Sequence, residues 1–173
     1  LRWSEVGSTN GIPDPCTGGF AAVYKFISVS GRVRAVRCFT HPVTDQQRRY
    51  AAIEDHLRSA NIPSFVDFEY LPRGIRLGSQ WYPIVVMDWV PGPTLETWVA
   101  NNLVRPGEIT ALADRWVELL RALREQAIAH GDLQHGNIKV VERLPCLLDY
   151  DGMYVPALAG AKSLECGHRN YQH

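Results

Sequence analysis

The stretch "CLLDYDGMYV", residues 146–155, sets Asp149 and Asp151 two positions apart behind an apolar run and ahead of Gly152. Upstream, "AHGDLQHGNIKV" sets Asp132 and Asn137 five residues apart, and Asp149 follows Asn137 by twelve. Two phosphate chemistries use such residues. In a phosphatase, the first Asp of a D-x-D-G run attacks phosphorus and the second serves as acid and base. In a phosphotransferase, oxygen-bearing side chains hold Mg²⁺ against phosphate oxygens while a carboxylate accepts or orients the attacking hydroxyl. The phosphatase reading needs a following sheet with further phosphate-binding groups, whereas 21 residues follow Gly152, and it leaves "HGDLQHGN" without a part. The pattern favours phosphoryl transfer, with Asp149 on the metal and Asp151 in a secondary or structural part.

The flanking sequence supplies elements to position these groups. "FAAVYKFISV" and "RVRAVRCF" are β-branched and aromatic and meet at Ser30-Gly31, which predicts a hairpin. "TDQQRRYAAIEDHLRSA" opens on a capping box of Thr44 and Gln47 and predicts a helix with Ile53 and Leu57 on one face. "SFVDFEYL" and "YPIVVMDWV" predict two more strands, the second closed by Pro91-Gly92. Thr94 caps a short helix "LETWVANN". In "GEITALADRWVELLRALREQAIA", Ile109, Leu112, Ala113, Trp116, Leu119, Leu120 and Leu123 form a helical stripe. "IKVV" and "PCLLDY" read as short strands. The fold class is therefore α+β and two-lobed, an antiparallel sheet with one helix over residues 1–90, then a mostly helical part over 91–173. Residues 88–93 form the connection, and the cleft between such lobes is the expected ligand site.

In order and spacing, from about residue 15 to the end, the chain resembles the protein kinase superfamily, of the bacterial eukaryotic-like serine/threonine type. "HGDLQHGN" stands at the catalytic loop and "DYD" at the metal-binding tripeptide. "TGGFAAVY" resembles the glycine-rich cover of ATP, "RAVRCF" the strand of the phosphate-binding lysine, "VVMDWVPG" the hinge and "GHRNYQH" the end of the activation segment. The resemblance implies ATP and Mg²⁺ as cofactors. It implies Asp132 as catalytic base or hydroxyl orienter, and Asn137 and Asp149 as metal ligands. It further implies Met87 as gatekeeper, backbone groups of Asp88 and Val90 on adenine, and Val23 and Ala35 against the ring. Gly18 and Gly19 let backbone amides approach phosphate, and Glu54 pairs with Arg37.

Several positions depart from that family's pattern. Arg37 replaces the lysine; its planar fork can still bind two phosphate oxygens. Cys16 and Ala21 fall where the covering loop has glycines. Lys25, on the same strand face as Val23, is an alternative cation to Arg37, and Gln134 replaces a lysine that steadies the transferring phosphate. Gly131 replaces an arginine, so a phosphorylated activation segment has no partner there. The "HGD" form and Asp151 are similar to small-molecule kinases of the aminoglycoside and choline type. Three expectations follow: a protein kinase-like phosphotransferase, a pseudokinase acting as a nucleotide-binding or interaction module, or a small-molecule kinase.

Composition narrows the partners. Eighteen basic and eighteen acidic residues balance, which argues against a nucleic acid backbone or an anionic membrane as partner. No apolar run reaches spanning length and no leader pattern opens the chain, so a cytoplasmic location is expected. Cys16, Cys38, Cys146 and Cys166 form no CxxC pair and are read as inert thiols. His130 and His135 are read as structural, and Ser163, Tyr154 and Tyr171 as ordinary loop hydroxyls. A protein substrate or partner is expected, and the chain, opening on Leu1, is expected to belong to a longer polypeptide with a further domain or the rest of the helical lobe.

Overall fold

The computed structural model describes residues 3–5, 8–9, 12–13, 15–17, 21–28, 30–41, 45–163 and 167–171. They form an α+β chain in two compact units, one from Leu1–Ala51 and Asp67–Trp89, the other from Ala52–Val66 and Val90–His173.

In the first unit the strands are β1 (Trp3–Glu5), β2 (Ser8–Thr9), β3 (Ile12–Pro13), β4 (Cys16–Thr17), β5 (Ala21–Ser28), β6 (Val33–Phe39), β7 (Phe68–Leu77) and β8 (Gln80–Asp88). The main sheet runs β1-β5-β6-β8-β7, with β4 also on β5 and antiparallel pairing throughout. The β5–β6 turn closes through Gly31, at φ 81°, whose amide donates to Ser28 O at 2.9 Å. Only glycine takes such a φ without strain. One sheet face carries an apolar cluster of Val36, Ile84 and Val86 with Phe26, Cys38, Leu71 and Ile75 against it. On the other, Tyr50 stacks on Tyr70 at 5.3 Å and meets Phe39 and Phe68 edge-on at 5.9 and 5.6 Å.

Strand β7 corrects the sequence reading. It begins at Phe68 and not at Ser64, and it runs on past the predicted end at Leu71, through Pro72 and Gly74, to Leu77. The register slips between Leu71 and Ile75, which absorbs the proline at the last strand in the order. A Cβ on Gly74 would strike the Ile84 side chain, so the bulge lies flat on its neighbour because that residue has none.

Helix α1 (Gln46–Ala60) starts after Asp45, which sits at φ 57°. Thr44, and with it the predicted capping box, lies outside the described residues. Ile53 and Leu57 are buried, as their spacing predicts. From Ala52 on, the helix belongs to the second unit, where the sequence reading had assigned everything to residue 90 to the first. The cause is local bonding: the His56 ring bonds to Gln126 O at 2.8 Å, and Leu147 N–H donates to Ser64 O at 2.8 Å.

The second unit continues with α2 (Leu95–Asn102), α3 (Pro106–Glu125), β9 (Ile138–Val141) and β10 (Leu144–Leu147). Thr94 caps α2 by accepting from Thr97 N–H at 3.4 Å. In α3 the predicted stripe is narrower than expected: Leu112, Leu119 and Leu123 are buried, while Ala113 and Leu120 face outward. Strands β9 and β10 pair as a hairpin, with Ile138, Val140, Cys146 and Leu147 buried. Burial pushes the Cys38 and Cys146 thiols up from their ordinary range, in keeping with inert cysteines.

Candidate functional site

The loop bearing Asp132 is held from both ends in the second unit. Ala129 and Tyr154 form a two-bond antiparallel rung, 3.1 and 2.7 Å, that brings residues 130–132 alongside 149–153. His130, 2% exposed, bonds through Nε2 to Leu148 O at 2.9 Å. A carbonyl can only accept, so that nitrogen carries the proton. Burial lowers the His130 pKa, opposed by the Leu148 bond and by the nearby Asp149 and Asp132 charges, so the ring is neutral. Next comes Gly131 at φ 85°, where a Cβ would collide with Gly152 O and lie 2.7 Å from Gly152 C. The absence of arginine there has a steric cause: the backbone admits no side chain.

Asp132 is drawn into place by three donors. Gln134 Nε2 and Asn137 Nδ2 donate to Oδ2 at 2.6 and 2.7 Å, and the His168 amide donates to Oδ1 at 3.0 Å. Asn137 Nδ2 also reaches Asp132 O at 3.1 Å. The Leu148 amide donates to Asn137 O at 2.8 Å, which fixes the strand end that leads into Asp149 against the same loop. Asp149 is in the left-handed region at φ 65°, a conformation that Asp and Asn tolerate best among residues with a side chain. Tyr150, 1% exposed, anchors the turn: its hydroxyl accepts from Val66 N–H at 2.9 Å and donates to Leu147 O at 3.0 Å. Asp132, Asn137 and the approach to Asp149 thus belong to one hydrogen-bonded loop.

In the first unit, register places Val23 opposite Arg37 and Ala35 opposite Met87, and the two-residue alternation puts all four on one sheet face. Arg37 is buried, its guanidinium carbon 5.9 Å from the Phe39 ring. Lys25, the alternative cation, lies with its amine 5.0 Å over the Trp89 ring. The Asp88 side chain is on the opposite face, where it accepts from Arg34 at 2.7 Å and Arg32 at 3.2 Å. The β7 ladder stops at Met87, so the backbone of Asp88 stands beyond it, and Val90 belongs to the second unit. Gly18 and Gly19 lie outside the described residues. Glu54 accepts from Arg58 Nη2 at 2.6 Å, one turn along its own helix. The cavity found in this unit, about 770 Å³, is lined by Phe39, Gln46, Arg48, Tyr70 and Tyr82 among others, and by none of the predicted site residues.

The donor set suits a hard cation. The amide nitrogen of Asn137 is committed to Asp132, which leaves its oxygen to face elsewhere, and Asp149 adds a carboxylate. Mg²⁺ is commonly held by one or two such oxygens with water and phosphate completing its shell, so Asn137 and Asp149 are the residues here that could serve as its ligands. Residue types alone missed His168, because it acts through its backbone amide. Gln134 stood out in the sequence only as a missing lysine; in the structure it is a donor to Asp132. Compared with protein-family models and with curated proteins, the chain matches none.

Proposed function

We propose that this chain is a protein kinase-like phosphotransferase that uses ATP and Mg²⁺ to phosphorylate a protein hydroxyl. The observation that carries the reading is the Asp132 carboxylate, gripped at 2.6–3.0 Å by Gln134, Asn137 and His168 in the same loop that receives the strand leading to Asp149. A carboxylate so fixed can orient an acceptor hydroxyl and take its proton as the oxygen–phosphorus bond forms and ADP leaves with the electrons of the broken bond. Asn137 and Asp149 would hold Mg²⁺, which would supply positive charge to the phosphate oxygens. Val23, Ala35 and Met87 offer an apolar face for a base, with Arg37 beside them as a phosphate fork.

A pseudokinase is the second reading. Gln134 spends its side chain on Asp132, where the resemblance expects a cation, and Glu54 is bound to Arg58. The small-molecule kinase reading rests on the sequence form around Gly131 and Asp151.

Purified chain incubated with γ-labelled ATP and Mg²⁺ separates the three. Label on protein, lost in Asp149→Ala, is the expected result. Asp149→Asn belongs beside it, because it keeps a residue suited to φ 65° while removing the charge. Nucleotide-dependent thermal stabilisation with no transfer favours the pseudokinase. Label found only on an added aminoglycoside or choline favours the third reading.

A further inference from the structure

The donors to the Asp132 carboxylate are unevenly shared. Oδ2 receives both Gln134 Nε2 and Asn137 Nδ2, which fill its lone pairs. Oδ1 receives the His168 amide alone. Among the described residues one lone pair is left over, on Oδ1, and a hydroxyl that delivers a proton to Asp132 has to arrive there, beside His168.

What holds His168 is therefore of consequence. Within residues 167–171 the Tyr171 amide donates to His168 O at 2.9 Å and the Asn170 amide to His168 Nδ1 at 3.2 Å. The Tyr171 hydroxyl bonds to His135 Nδ1 at 2.7 Å, and His135 is on the loop of Asp132 itself. The rings of His135, His168 and Tyr171 pack mutually with centroids 5.5 to 6.3 Å apart. His135 Nε2 lies 3.6 Å from Glu96 on α2, on the other side of the ring. The segment and the loop are thus tied together twice, once at the carboxylate and once at the Tyr171–His135 bond.

On the basis of the phosphotransferase reading, we propose that Tyr171 and His135 are a positioning pair which, through the His168 amide, fixes Oδ1 of Asp132 as the acceptor of the substrate hydroxyl's proton. Neither side chain touches the reacting atoms; both act through the orientation of the carboxylate. Without the phenol hydroxyl the segment loosens, the His168 donor is lost for part of the time, and Asp132 turns about its remaining bonds.

The test uses the full chain with γ-labelled ATP and Mg²⁺, scoring label on protein or released as phosphate with water as acceptor. Asp132→Asn is expected to abolish transfer. Tyr171→Phe is expected to lower kcat about tenfold, the equivalent of one hydrogen bond, with KM for ATP unchanged. His135→Phe does the same, and the double variant loses no more than either, since the two act as one unit. A readout independent of turnover accompanies this: Tyr171→Phe speeds hydrogen exchange at the His168 amide about tenfold. Wild-type kcat or wild-type exchange in Tyr171→Phe, or additive losses in the double variant, overturns the pair while leaving the phosphotransferase intact. Full transfer by Asp132→Asn, or none by the wild-type chain, removes the reading and the pair together.

Discussion

Replacing Gly131 with alanine adds one methyl group at the place where the structure has least room for it. Two costs add. The residue is held at φ 85°, and an L side chain in the left-handed region costs about 1 kcal/mol or somewhat more. The new Cβ also meets Gly152 backbone, 2.7 Å from C and 3.1 Å from Cα, with the carbonyl oxygen nearer still. Backbone cannot swing aside as a flexible side chain can, and the Ala129–Tyr154 rung clamps both strands. Overpacking of this kind costs roughly 1–3 kcal/mol. The expected total is about 3 kcal/mol, a large part of the ~5–15 kcal/mol that holds a domain folded. In urea unfolding followed by tryptophan fluorescence, with a slope of about 2 kcal/mol/M, the midpoint should fall by roughly 1.5 M at constant slope. Gly136→Ala is the internal control: it lies in the same loop, its Cβ would meet nothing within 4 Å, and its midpoint should hardly move. A Gly131→Ala midpoint within the error of wild type, or an equal fall in Gly136→Ala, would refute the steric account. Gly131→Arg should fall at least as far as alanine.

Three further outcomes are expected. Tyr150→Phe removes a buried hydroxyl that serves Val66 N–H and Leu147 O, and should destabilise by about 2 kcal/mol in the same urea assay. His130 has a lowered pKa in the folded chain, so its contribution is present above the unfolded histidine value near 6.5 and is lost as pH falls below it. Urea midpoints measured from neutral to acid pH should therefore decline more steeply in wild type than in His130→Asn, and parallel curves would contradict this. Arg37→Lys should keep ATP affinity within tenfold, about 1.4 kcal/mol, by titration calorimetry; a larger loss would make the planar guanidinium a specific requirement.

The parts legible in the sequence were those that residue type alone encodes. Alternating β-branched residues gave the β5–β6 hairpin, Thr94 gave the α2 cap, and the Asp, Asn and Gly of "HGDLQHGN" gave a tight loop. The predicted strand stopped at Leu71, short of Pro72 and Gly74, yet β7 carries both, as the last strand in the order can where a central ladder would not. The α3 stripe was overread at two positions because an apolar spacing marks which residues could be covered, while the covering surface buries Leu112, Leu119 and Leu123, half-covers Ile109 and Trp116 and leaves Ala113 and Leu120 exposed. The His168 contact was invisible for a different reason. Every residue except proline has an amide proton, so a backbone donor 36 positions from its carboxylate leaves no mark on the sequence.

The bulged strand β7 also bears on how the protein behaves in concentrated solution. A strand at a sheet's rim offers its peptide groups to any passing extended chain, which is a common first step toward aggregation. Here Pro72 has no amide proton to give, and the slip between Leu71 and Ile75 breaks the even spacing that an incoming strand would need. Arg73, its guanidinium 5.4 Å from the Trp81 ring, adds a charge at the same place. The irregularity that carries this strand past its predicted end at Leu71 thus also works against neighbouring molecules joining the sheet.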